Sequence, residues 1–156
     1  MKKIVSTLLT ISFFFLLISM DSYAVSRSNV EKKTVNGQSY YIETTIVERT
    51  PLLQMANRGS SKSKTATKTT NVRDNKGNIL WSVSITGTFS YNGNSAQCTS
   101  CSHQTSTSSN WTIISSSSSC SGNSATATAT ARRSGLGNFD MTESVTITCS
   151  SSGVIQ

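Results

Sequence analysis

The stretch Ile79-Leu80-Trp81-Ser82-Val83-Ser84-Ile85-Thr86-Gly87-Thr88-Phe89-Ser90-Tyr91-Asn92-Gly93 decides how this chain is read. Ile79, Trp81, Val83, Ile85, Phe89 and Tyr91 recur at every second position, with Gly87 the one gap. Ser82, Ser84, Thr86, Thr88 and Ser90 fill the places between. Side chains of a strand alternate between its two faces, so this pattern predicts a strand with one face buried and one in water. Asn92-Gly93 follows at once, and that dipeptide suits a two-residue hairpin loop, which needs positive φ at both positions. With Asn92 and Gly93 as the loop, Tyr91 would face Asn94, Phe89 would face Ala96 and Gly87 would face Cys98. Trp81 is then expected in the core, in phase with Val83, Ile85 and Phe89.

The same reasoning extends in both directions. Downstream, Trp111 to Ile114 opens a strand that runs into the serines 115–119, and Gly122-Asn123 marks a turn. Ala125, Ala127, Ala129 and Ala131 alternate with Thr126, Thr128, Thr130 and Arg132, which predicts a strand with a small-residue inner face and bulky groups, Trp81 and Trp111 the candidates, opposite it. After a turn at 135–138, Phe139, Met141, Val145 and Ile147 lead in phase to Cys149. Upstream, Lys64 to Arg73 reads as a Thr-rich strand, placed at a sheet edge where Lys64 and Lys68 would discourage aggregation. Val35-Asn36-Gly37-Gln38 is a second hairpin signal, between Val30–Val35 and Tyr40–Val47. Between them Thr50-Pro51 and Gly59 suit the start and stop of one short helix.

The first 24 residues are set apart. Lys2 and Lys3 precede an apolar run, Ile4 to Ile18, and Ser22-Tyr23-Ala24 presents small residues where signal peptidase reads them. Export with cleavage after Ala24 is expected, leaving a chain with no transmembrane segment. The organisation expected is therefore a signal peptide (1–24), a basic hairpin with the short helix (25–63), and a disulfide-bearing sandwich (64–156). The fold class is all-β: an antiparallel β-sandwich of immunoglobulin-like architecture. Leu, Ile, Val and Phe make up fewer than one in five residues after Ala24, and small exported domains with thin cores are commonly stapled by disulfides.

The wording LWSVSITGTFSYNG, AQCTS, SGNSATATATARR and SVTITCSSSG resembles a family of small exported proteins of Gram-positive bacteria. The similarity covers about Lys64 to Gly153. It implies a β-sandwich and a Cys98–Cys149 bridge, with Cys101 and Cys120 extra to the pattern. It implies no activity, since none is assigned to the family. The comparison with immunoglobulin domains is architectural only: Cys98, Trp111 and Cys149 stand in the familiar order, but Ile147 occupies the place of the corner tyrosine.

Four cysteines allow three connectivities. Cys98 and Cys149 both fall at inward strand positions, which favours a bridge between sheets. Cys101 is three residues after Cys98, the opposite face in a regular strand, and would be left to Cys120. The other pairings stay open. Cys98-Thr-Ser-Cys101 has redox spacing but lacks the strand-to-helix setting that activates a thiol. Cys98, Cys101, His103 and Cys120 could be drawn around zinc, yet the second half of a paired motif is missing and export favours oxidation. No metal and no cofactor are expected.

Catalysis is poorly supported: His103 is the one histidine, and Asp140 and Glu143, three apart on a strand, point to opposite faces. The chain is read as non-enzymatic. Charge is unevenly spread. Val25 to Lys76 holds ten basic residues against four acidic, whereas from Gly77 onward two basic residues balance two acidic. Lys62, Lys64, Lys68 and Arg73 are the candidate ligand-binding residues, for an anionic cell-wall polymer or a surface ligand. Nucleic acid is disfavoured, because few aromatics interleave with these charges. The expected function is a secreted or envelope-associated binding module. The alternative is a secreted protein-interaction or structural factor, such as a toxin-like, immunity or matrix component.

Overall fold

The structure, a computed structural model, describes residues 23–50, 61–108, 110–135 and 137–156. The signal segment and the helix expected between Thr50 and Gly59 lie outside the described residues, apart from Tyr23, Ala24 and Thr50. The described chain is all-β, with eight strands: β1 (Tyr23–Val35), β2 (Gln38–Thr50), β3 (Lys62–Arg73), β4 (Ile79–Tyr91), β5 (Ala96–Thr107), β6 (Trp111–Ser121), β7 (Ser124–Arg133) and β8 (Phe139–Thr148). They form two antiparallel sheets, β1-β2-β3-β4-β5 and β6-β7-β8. Among the described residues no helix is long and apolar enough to cross a membrane.

The inner faces follow the alternation. Trp81, Val83, Ile85 and Phe89 of β4 are fully buried, and so are Ala125, Ala127 and Ala131 of β7. Gly87 fills the gap in the β4 pattern for a packing reason. A Cβ there would lie 2.8 Å from the Phe89 ring and 3.1 Å from the Ala125 Cβ. Small residues on β7 thus let the wide side chains of β4 sit between the sheets. At one end Trp111 gathers the aromatics: ring centroids lie 6.3 Å away at Trp81, 6.2 Å at Tyr40 and 5.6 Å at Phe139. Trp81 Nε1 is buried and finds no hydrogen-bond partner among the described residues. The outer faces are hydroxyl ladders, with Thr65 to Thr88 at 3.1 Å, Thr67 to Thr86 at 2.9 Å and Thr128 to Ser144 at 2.8 Å. Such cross-strand pairs let a face with few charges hold its register.

The two Asn-Gly sites turn the chain differently. Asn36 and Gly37 both have positive φ, 50° and 75°, and Val35 pairs with Gln38 across a two-residue loop. At Asn92-Gly93 the register expected from the sequence is replaced. Tyr91 pairs with Ala96, Phe89 with Cys98 and Gly87 with Cys101, across a four-residue loop. The Asn92 side chain accepts the Asn94 and Ser95 N–H groups at 3.0 and 2.9 Å, which closes the wider loop locally. The Gly93 N–H is meanwhile taken by the Ser151 carbonyl at 2.9 Å.

β3 is another correction. It pairs with β2 on one side and β4 on the other, so it is an interior strand and not an edge. Lys64 and Lys68 share its inward face with the buried Ala66, Thr70 and Val72. They cannot guard an edge, because the hairpin of β1 and β2 has been added outside them. Three strands cannot cover the inner face of five. The sandwich is therefore closed at one margin, where β5 meets β6, and open at the other, where β1, β2 and β3 extend past β8.

Candidate functional site

Among the described residues the open margin forms a cleft of about 360 Å³ between the inner faces of β1 to β3 and the unpaired edge of β8. Its walls carry hydroxyls (Ser28, Thr44, Thr70, Ser144, Thr146), the apolar Ile46 and Val145, and two cations, Arg27 and Lys68. The register dictates this lining: Arg27 lies opposite Ile46, and Ile46 opposite Lys68, so all three share one face. The Lys68 ammonium donates to the Thr146 carbonyl oxygen at 2.9 Å. No carboxylate pairs with it among the described residues, and burial pulls its pKa down. Losing water without gaining a counter-charge is unfavourable for an ammonium, so the cleft favours an anion.

The other candidate cations stand elsewhere. Lys62 is exposed at the start of β3. Lys64 donates to Glu48 at 3.1 Å and to the Gly153 carbonyl at 2.6 Å. Glu48 is buried and also takes a hydrogen bond from Arg27. Arg73 donates to Glu43 at 2.6 and 2.9 Å and to the Gly77 carbonyl at 2.8 Å. Its guanidinium, with the Asn71 amide, holds the Glu43 carboxyl below its ordinary value. Of the four residues read as ligand-binding, only Lys68 lines the cleft, because Lys64 and Arg73 are engaged in ties between strands. Arg27 belongs to the cleft and was missed. Its inward direction depends on the β1–β2 register, which the Asn36-Gly37 loop sets.

A second cleft, about 470 Å³, lies at the aromatic end beside Gln38, Tyr40, Asp74, Asn110, Trp111 and Arg133. Tyr40 and Trp111 are almost wholly buried there, so their rings serve the core and offer no stacking platform.

The closed margin holds three of the cysteines, Cys98, Cys101 and Cys120, while Cys149 lies just past the end of β8, where its backbone pairs with Ile155. Cys101 and Cys120 form a disulfide from β5 to β6. Cys98 and Cys149 are free and buried, so the bridge expected between them is not formed in this structure. The strand order keeps Cys149 apart, since β7 lies between β6 and β8, and a bulge places Cys101. Thr88 pairs with Ser100 but Phe89 pairs with Cys98, leaving Thr99 as an extra residue in β5. Its hydroxyl donates to the Thr88 carbonyl at 3.1 Å. One extra residue reverses the alternation beyond it. Cys98 and Cys101 thus come to the same face, against Phe89 and Gly87, and not to opposite faces. The Cys98 sulfur is directed at Cys120, 2.7 Å away. Burial pushes both free thiols, Cys98 and Cys149, above the ordinary range.

His103 continues the same row. Its Nδ1 lies 2.9 Å from the Ser118 hydroxyl and its Nε2 3.2 Å from that of Ser116. The sulfurs of Cys98, Cys101 and Cys120 lie within 4.8 Å of one another. The imidazole is turned to serines and not to them. No carboxylate is hydrogen-bonded to His103 among the described residues. Asp140 pairs with Arg132 on the outer face at 2.7 Å, while Glu143 meets Lys33 at 2.6 Å. Comparison of the chain with protein-family models, curated proteins and solved structures found no match.

Proposed function

We propose that this is an exported, envelope-associated, non-enzymatic β-sandwich that binds an anionic, hydroxyl-rich wall polymer in the cleft at its open margin. The observation that carries the reading is Lys68: a half-buried ammonium on a hydroxyl-lined wall, with no carboxylate opposite it among the described residues. A phosphate-bearing polyol would supply the missing charge, and the threonine and serine hydroxyls would meet its own. The exposed Lys32, Arg49 and Lys62 add long-range attraction. Export rests on the N-terminal signal pattern and the resemblance to exported Gram-positive proteins; the purified extracellular form should begin at Val25. The immunoglobulin-like reading rests on the two-layer packing and on the order Cys98, Trp111, Cys149.

The test is co-sedimentation with wall sacculi, intact or stripped of anionic polymer, and direct binding of poly(glycerol phosphate). Binding should fall steeply with salt, since exposed charges are screened within about 10 Å at 0.1 M. Lys68→Met should weaken it about tenfold or more, the loss of one charge-assisted hydrogen bond. Binding indifferent to salt and to Lys68→Met would overturn the proposal. One observation favours the alternative of a protein-interaction factor: β1, of which residues 25–35 remain after cleavage, is an edge strand among the described residues, and such an edge can pair with a partner's strand. That contact would survive high salt.

A further inference from the structure

The closed margin carries chemistry that polymer binding does not use. The Thr99 bulge brings Cys98 and Cys101 to one face of β5, and Cys120 of β6 faces both. Cys101 and Cys120 are bonded, and the free thiol of Cys98 lies 2.7 Å from the Cys120 sulfur. The next rungs, His103 to Ser118 and Ser116, hold β5 and β6 together independently of which sulfurs are joined.

We infer that Cys98, Cys101 and Cys120 form a thiol–disulfide exchange site in which one disulfide is shared by three cysteines. Cys98 gives its proton to solvent, and its thiolate attacks the Cys120 sulfur. The Cys98–Cys120 bond forms and the Cys120–Cys101 bond breaks. The electron pair leaves on the Cys101 sulfur, which takes up a proton. No oxidant or reductant is consumed. Either bond ties β5 to β6, so the margin stays closed. What changes is the thiol that is released. Cys98 is 8% exposed, whereas Cys101 is half-buried and within reach of solvent. Exchange therefore turns a sheltered thiol into an accessible one. A small-molecule disulfide can then modify it: the Cys101 thiolate bonds to one half and the other half departs as a thiolate.

The chain is built conveniently for the test. Trypsin has no site between Lys76 and Arg132, so Cys98, Cys101 and Cys120 fall in the peptide Gly77–Arg132 and Cys149 in Ser134–Gln156. The oxidised full chain is denatured without reductant and its thiols are trapped with a maleimide at mildly acidic pH, where exchange is slow. In the parent, Gly77–Arg132 should carry one label, on Cys98 in some molecules and on Cys101 in others. Ser134–Gln156 should be labelled at Cys149. In Cys101→Ser the bond should move to Cys98–Cys120, leaving Gly77–Arg132 unlabelled. Cys98→Ser should keep Cys101–Cys120 and show no label on Cys101. The inference is overturned by a parent label on Cys98 alone, by a Cys101→Ser chain with Cys120 labelled, or by the two peptides linked through Cys149 with no thiol left. The division of label in the parent decides the matter even where a variant does not fold.

Discussion

Gly87→Ala probes the separation of the two sheets with a single methyl group. The new Cβ would sit 2.8 Å from the Cε2 and Cζ atoms of Phe89 and 3.1 Å from the Cβ of Ala125. Carbon atoms rest about 3.5–4.0 Å apart, so roughly half an ångström to one ångström must be found on both sides. The Phe89 ring cannot swing away. It is fully buried, and Ala125 opposite it is fully buried too. Overpacking of this kind costs about 1–3 kcal/mol. Gly87 does not have positive φ, so alanine is compatible with its backbone. Restricting the unfolded chain then returns about 0.4–1 kcal/mol. The expected net loss is about 1–2 kcal/mol, measured by urea unfolding at constant slope. Phe89→Leu in the same chain removes the obstructing ring atoms, so the double variant should be more stable than the two single losses added, by about 1 kcal/mol. A Gly87→Ala protein as stable as the parent, or additive losses in the double variant, would show that the ring does not lie over Gly87.

Other outcomes follow from the ties and the bulge. Glu48→Gln should destabilise by about 1–3 kcal/mol in urea unfolding, because it leaves the largely buried Lys64 without its carboxylate, while exposure of Arg27 keeps the loss below that of a fully buried pair. Deleting Thr99 should be tolerated, with thermal unfolding still cooperative and Cys101 still bridged to Cys120. The deletion shortens the spacing of Cys98 and Cys101 to two, and two residues share a face without a bulge; in an unbulged β5 the same deletion would turn His103 and Cys101 away from β6. Glu43 provides a pH test. Its folded pKa is lowered by the Arg73 and Asn71 side chains, so its contribution is complete above the ordinary glutamate value of 4.5 and is lost as pH falls through the lower folded value. Arg73→Met should therefore flatten the decline of melting temperature on acidification below that value, and an unchanged profile would remove the Glu43–Arg73 tie from the stability of the fold.

The sequence by itself determined the strands and most of their faces. Alternation is a local property: Trp81 to Phe89 and Ala125 to Ala131 point inward because every second side chain must, and no distant contact is needed to say so. It also determined that β1 and β2 meet at Asn36-Gly37, where a short loop with positive φ at both residues is all the turn requires. Among the described residues three bulges, at Leu80, Thr99 and Ile114, were not legible. Each inserts one residue and reverses the alternation beyond it. That is why Ile79 is exposed, why Cys101 and His103 lie on the face of Cys98, and why Cys120 comes opposite the buried Ala125. No residue type marks such an insertion; it is decided by which partner carbonyl and amide groups each strand meets. The same holds for Asn92-Gly93, whose four-residue loop is set by the β4–β5 register and is tied through the Gly93 N–H to Ser151, far along the chain. The cleft depended on tertiary structure in the same way. Lys68 reads as a cation guarding an edge strand, and Arg27 as only one of ten basic residues between Val25 and Lys76. Pairing β3 on both sides, and covering five strands with only three, turned these two side chains into the wall of an open margin.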